Sequence, residues 1–140
     1  MPLLSRKGLL AIAAVVDVAV NGRERPISAR ALAERHDLPS RHLEPVLQAL
    51  VHEGIFQGVR GPRGGYQLSR ERKRISVADI LRAAGAAEDS EAAMPKSRIL
   101  GAVVLPGIAD AEKSFGAVLA RLTVDELARR AETLGERSAR

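Results

Sequence analysis

Cysteine is absent from all 140 residues, and so is tryptophan. No disulfide, thiolate metal site or cysteine redox couple can therefore form, which fits a cytoplasmic address without requiring one. The aromatic residues are Phe56, Tyr66 and Phe115, too few for the stacking platforms on which single-stranded nucleic acids are bound. Long apolar runs are missing too. Leu9 to Val20 is apolar but far too short to span a bilayer, and no signal-peptide cleavage site follows it, so no membrane partner is expected. Nor is there a Ser/His/Asp set, a metal cluster, a phosphate loop or a pair of acids at meaningful spacing. An enzyme has no support in this sequence.

What the chain does carry is charge, unevenly spread. Residues 1–75 hold 13 Lys and Arg against 7 Asp and Glu, whereas residues 76–140 hold 9 against 10. The basic half contains the most informative stretch, Leu38 to Ser69. Leu43, Val46, Leu47, Leu50 and Val51 recur at helical spacing and form one apolar stripe. Ser40, Arg41, His42 and Glu44 crowd the start of that helix, and Gly54 stops it. Ile55 to Arg60 and Tyr66 to Leu68 then flank Gly-Pro-Arg-Gly-Gly, a turn preset by Pro62 and allowed by glycine. A polar-tipped helix followed by an Arg-tipped hairpin is how a winged helix-turn-helix meets duplex DNA, helix in the major groove and hairpin toward the minor groove.

The run from Leu38 to Ile55, followed by VRGPRGGY and then by ISVADILRA, resembles the family of winged-helix transcription regulators that includes IscR, NsrR and CymR. The resemblance covers about four fifths of the chain, and VRGPRGGY is its most specific piece. It implies a mainly α fold with a small β-hairpin: a winged helix-turn-helix DNA-binding domain followed by a long dimerisation helix. It also implies base contacts from Arg41 and Glu44, with Ser40 and His42 on phosphates. Arg60, aided by Arg63, would enter the minor groove, and Gly61, Gly64 and Gly65 would shape the tip. Arginine can donate two bonds to guanine, and glutamate can accept one from cytosine.

Elsewhere the chain reads more plainly. The first helix should run from about Ser5 to Val20 with Leu9, Ile12, Ala13, Val16 and Ala19 or Val20 inward. Ser28 should cap a second helix whose start, beside Arg30, offers N–H groups to a phosphate. Pro45 lies inside the third helix and should loosen its first turn toward a 3₁₀ form. Arg70 to Arg74 is a basic run that reads as a solvated loop, able to touch phosphate beside a wing. Ser76 should cap a fourth helix.

Residues 85–98 are rich in Ala, Glu and Ser and read as a linker or mobile loop. Cluster-binding members of the resembled family hold cysteine ligands in and just after this stretch; here there are none, and Ala102 falls where the last would stand. No iron–sulfur cluster is expected, and Glu88, Asp89 and Glu91 are hard oxygen donors unsuited to one. Ile99, Leu100, Val103, Val104 and Leu105 either wall a ligand pocket or pack on a partner. From Leu105, Ile108, Ala111, Phe115, Val118 and Leu122 keep a 3-4 rhythm that Leu119 widens. Packing within the chain would also satisfy it; dimerisation is preferred because the winged-helix core is expected to be covered without it. Thr123 should cap a last helix.

The division is residues 1–84 for DNA binding, 85–104 as linker or sensor loop, 105–134 as dimerisation and C-terminal helices, and 135–140 as a frayed tail. The leading function is a homodimeric, sequence-specific transcription regulator, more readily a repressor, on a palindromic double-stranded operator. The effector, small molecule or protein, is unassigned. The alternative is a winged helix that docks on a protein without specific DNA binding.

Overall fold

The computed structural model describes residues 4–87 and 96–138. Six helices and one hairpin follow in order: α1 (Arg6–Asn21), α2 (Ala29–Arg35), α3 (Ser40–His52), β1 (Phe56–Val59), β2 (Gly65–Leu68), α4 (Val77–Ala87), α5 (Leu105–Arg121) and α6 (Val124–Ser138). A 3₁₀ turn at Arg72–Arg74 joins β2 to α4, and a π turn at Leu100–Val104 leads into α5. Glu88, Asp89 and Glu91 lie outside the described residues.

The core gathers Leu32 from α2, Leu43, Leu47 and Leu50 from α3, Ile55 and Phe56 at the hairpin, Ile75, and Ile80 from α4. Those on helices come from the apolar side of an element whose polar side faces water. The inward face of α1 is not the one that bulk alone favours. Gly8, Ala11, Ala14, Val15, Val18 and Ala19 are buried, while Leu9 is 41% exposed. Ile12, Ala13, Val16 and Val20 are half-buried and line, with Leu127 and Ala131 of α6, an open groove of about 600 Å³. The reason is close approach: a Cβ on Gly8 would meet the Leu81 side chain of α4 at 2.8 Å. Small residues bring helices together, so the smallest face of α1 wins the core.

Two helix ends fix the helix-turn-helix. After α2, Asp37 takes φ 53°, with Leu38 donating to the Ala33 carbonyl at 2.9 Å and Asp37 to that of Glu34 at 3.3 Å. After α3, Gly54 takes φ 76°, and Ile55 donates to Leu50 at 2.9 Å while Gly54 donates to Val51 at 3.0 Å. Both are Schellman endings, which satisfy the last carbonyls and turn the chain sharply.

The C-terminal helices attach differently. Val124 and Ala128 of α6 are buried, and Val124 donates to Ile75 and Val77 to Leu122, each at 2.8 Å. Ser76 and Asp79 cap α4 reciprocally, at 3.0 and 3.1 Å. Helix α6 continues through Gly135 to Ser138, beyond the end near Leu134 that the sequence suggests. One exposed glycine costs a helix only about 1 kcal/mol relative to alanine. Helix α5 contains no buried residue; Phe115 is 36% and Val118 54% exposed. Its π turn has a visible cause. Pro106 has no N–H for the Ala102 carbonyl, and the ladder widens so that Leu105 donates to Leu100, five residues back. Ile99 and Val103 are 69% and 62% exposed.

Candidate nucleic-acid interface

Helix α3, the hairpin and the start of α2 meet along one face. The hairpin pairs Phe56 with Leu68 through to Val59 with Gly65. A third backbone segment joins it: Ile27 donates to the Tyr66 carbonyl at 3.0 Å, and Tyr66 donates back at 2.8 Å. This bridge needs Gly65, because a Cβ there would collide with the Ile27 carbonyl. At the tip, Gly64 donates to the Gly61 carbonyl at 2.9 Å, closing a four-residue turn with Pro62 at its second position and Gly61 at φ 116°. The hairpin is thereby aimed by Ile27, two residues before α2. Sequence reasoning missed this bridge, which is non-local and has no periodic signature.

The start of α3 is open. Its N-cap is Pro39, no side chain caps it, and His42 donates to the Pro39 carbonyl at 3.0 Å, a three-residue closure of the 3₁₀ kind. Uncapped N–H groups and the positive end of the helix dipole attract an anion. Arg41 and His42 are exposed beside them and Ser40 is half-buried. One turn on, Glu44 is exposed and faces the hairpin. Burial lifts the Tyr66 phenol above its ordinary value, the Glu44 carboxylate lifts it further, and a hydrogen bond with Gln48 opposes both. Gln48, four residues after Glu44 on the same polar face, was not singled out in the sequence although that spacing marks it.

Between α2, α3 and the hairpin lies a cleft of about 540 Å³, lined among others by Ser28, Gln48, Arg60, Gly64, Gly65 and Tyr66. Ser28 accepts from the Ala31 N–H at 3.1 Å, so its hydroxyl is engaged in capping α2. Arg30 pairs with Glu34 at 3.4 Å on the open surface. These two stand at the margin of the face. Arg41, Arg60 and Arg63 are exposed and have no ion pair among the described residues, whereas Arg35, Arg70, Arg72 and Arg129 all do.

A family model described as Rrf2, iron-dependent transcriptional regulator, matches residues 4–130. The HTH-type transcriptional regulator IscR of Xenorhabdus nematophila is 36% identical over 87 residues, 62% of this chain and 53% of that protein. The chain spans about half the length of the curated relatives it matches. Among solved structures, T. potens IscR superposes with a TM-score of 0.74 at 30% identity, covering 95% of this chain and 90% of that one. CymR, described as the global cysteine regulator of B. subtilis, gives 0.69 at 26% identity, covering 93% and 98%.

The iron in the family's description does not fit these residues. The chain holds no cysteine, and clusters are held by thiolates. Among the described residues no group of three His, Asp or Glu could hold a metal ion. His36 is engaged with Asp17 at 3.0 Å, and His42 and His52 lie at opposite ends of α3. Among the same residues, no helix is long and apolar enough to cross a membrane.

Proposed function

The chain belongs to the Rrf2 family of transcriptional regulators, and from that membership we propose that it is a homodimeric, sequence-specific DNA-binding repressor of the cytoplasm, acting on an approximately palindromic operator. The observation that carries this reading is that three exposed arginines without ion pairs among the described residues, Arg41 on α3 and Arg60 and Arg63 at the hairpin, stand where α3 and the hairpin meet. Charges left without internal partners on a helix-and-wing face are suited to phosphates and groove edges. In this reading Arg41 and Glu44 contact bases, Ser40 and His42 hold phosphates, and Arg60 and Arg63 reach the minor groove around Gly61, Gly64 and Gly65. Ser28 and Arg30 contribute from the margin. Residues 1–84 bind DNA, 85–104 link, and 105–134 dimerise.

Dimerisation draws support from α5. Ile108, Phe115 and Val118 are exposed along one side of a helix that has no fully buried residue among the described ones. A second copy would cover that side and set the spacing of two half-sites.

Sequencing duplex fragments retained by the purified protein tests the reading. A palindromic consensus with binding that falls steeply with salt is expected; retention of unrelated sequences with equal affinity would reduce it to a protein-docking module. Arg60→Ala should weaken operator binding by about 1–3 kcal/mol at one fixed salt concentration. Phe115→Glu should sediment as a monomer, since two facing carboxylates cannot be buried together.

A further inference from the structure

The amino end of α1 lies beside that of α3. Between them is a cleft of about 410 Å³ lined by Arg6, Lys7, Leu10, Leu38, Arg41, His42 and Pro45. Three of these are permanent cations and the fourth a histidine; no acid lines it. None of Arg6, Lys7 and Arg41 makes an ion pair among the described residues, although seven other arginines do. Arg6 and Lys7 also stand where the free protein gains least from them. They occupy the first turn of α1, which has no acidic residue, at the positive end of its dipole. Three cations without ion pairs among the described residues thus line one cleft, next to the uncapped start of α3. Pro45 adds to the cleft's shape, since it removes a backbone donor from the turn that carries Arg41.

We propose that this cleft is a second phosphate-binding edge of the DNA interface, in which Arg6 and Lys7, across from Arg41 and His42, hold the backbone of the strand flanking the bases read by α3. The proposal rests on the DNA-binding reading above and extends it to a helix otherwise used for the core. The apolar floor of Leu10, Leu38 and Pro45 offers no base-reading group, so the edge positions the duplex and carries no sequence preference. The partner is the duplex backbone, because the cleft is continuous through Arg41 with the face of α3.

The test compares the wild type with R6Q/K7Q on the duplex selected by the wild type. The slope of log affinity against log salt should fall by about 2, one for each cation removed, while the selected consensus stays the same. The thermal midpoint of the variant should equal or exceed that of the wild type, because neutral residues suit the positive end of α1 better. A second measurement uses wild-type protein and duplexes with single methylphosphonates along the flank. One or two positions should weaken the wild type and leave R6Q/K7Q unaffected. If the wild type shows no salt-dependent duplex binding, the DNA reading fails and this edge with it. If the wild type binds steeply and R6Q/K7Q keeps the same slope, or no flanking phosphate couples to the two residues, the α1 edge alone is overturned.

Discussion

Asp37 holds the left-handed conformation, φ 53°, that ends α2 and directs the chain into α3. An L-residue there crowds its Cβ against the following carbonyl, and aspartate tolerates this better than most without being free of the cost. Asp37→Gly should therefore raise stability by up to about 1 kcal/mol, less the extra entropy glycine gives the unfolded chain. Urea unfolding measures it; a fall in the midpoint would mean that the aspartate side chain supplies a compensating bond. Gly65 presents the reverse case. Its missing Cβ admits the Ile27 backbone, so Gly65→Ala must part the hairpin from α2. Duplex affinity should drop in Gly65→Ala although no charge or base contact is removed, and a mutant binding as the wild type would show that the wing's aim is unimportant.

The most consequential attachment between elements runs through Arg72. Its side chain, only 16% exposed, bonds Asp125 at 2.7 Å and Glu132 at 2.8 Å, tying the 3₁₀ turn after the wing to α6. Arg129 closes on the same Asp125 at 3.0 Å. Desolvation pushes the Asp125 carboxyl up, but the hydrogen bond from Arg72 and the charges of Arg129, Arg72 and Lys73 outweigh it and hold the group below its ordinary value. A carboxyl depressed by folding adds stability above its unfolded value and loses it as pH falls through the folded one. The docking of α6 should thus be fully present at neutral pH and weaken only below the ordinary aspartate value of 3.8. Urea midpoints followed downward in pH should fall more steeply for the wild type than for Asp125→Asn; parallel curves would remove Asp125 from the account. This network also shows where sequence reading stops. Arg70 to Arg74 looks like a solvated basic run, and Arg74 does pair with Glu71 on the open surface. Nothing local marks Arg72 as different, because its partners lie 53 and 60 residues away.

At the scale of the molecule, what was legible was local. The stripe of α3, its glycine ending and the Pro-Gly hairpin depend on residues a few positions apart, and each sits where spacing and turn chemistry require. The inward face of α1 and the Ile27 bridge were not legible, since both depend on how closely distant backbones approach. In the candidate interface the cations were visible as residue types, but not which of them lack internal partners. The cysteine-free composition leads to a further whole-molecule expectation. Protein purified without oxygen from iron-rich cells should be colourless and should bind its operator equally well before and after exposure to air. Visible absorbance with stoichiometric iron would overturn that expectation.

Tyr66 is the single tyrosine in a chain without tryptophan, and it stands in the hairpin beside Phe56, ring centroids 5.9 Å apart, with Glu44 and Gln48 of α3 acting on its phenol. Nearly all intrinsic ultraviolet fluorescence therefore originates at the junction of wing and recognition helix. The molecule carries its own optical probe at the surface where DNA is proposed to bind, and no label is needed to watch it. Emission should respond to duplex but hardly to events confined to α5. Because Glu44 raises the phenol's ionisation point, Glu44→Ala should shift the phenolate absorbance transition to lower pH, a reading of where that carboxylate sits before any DNA is added.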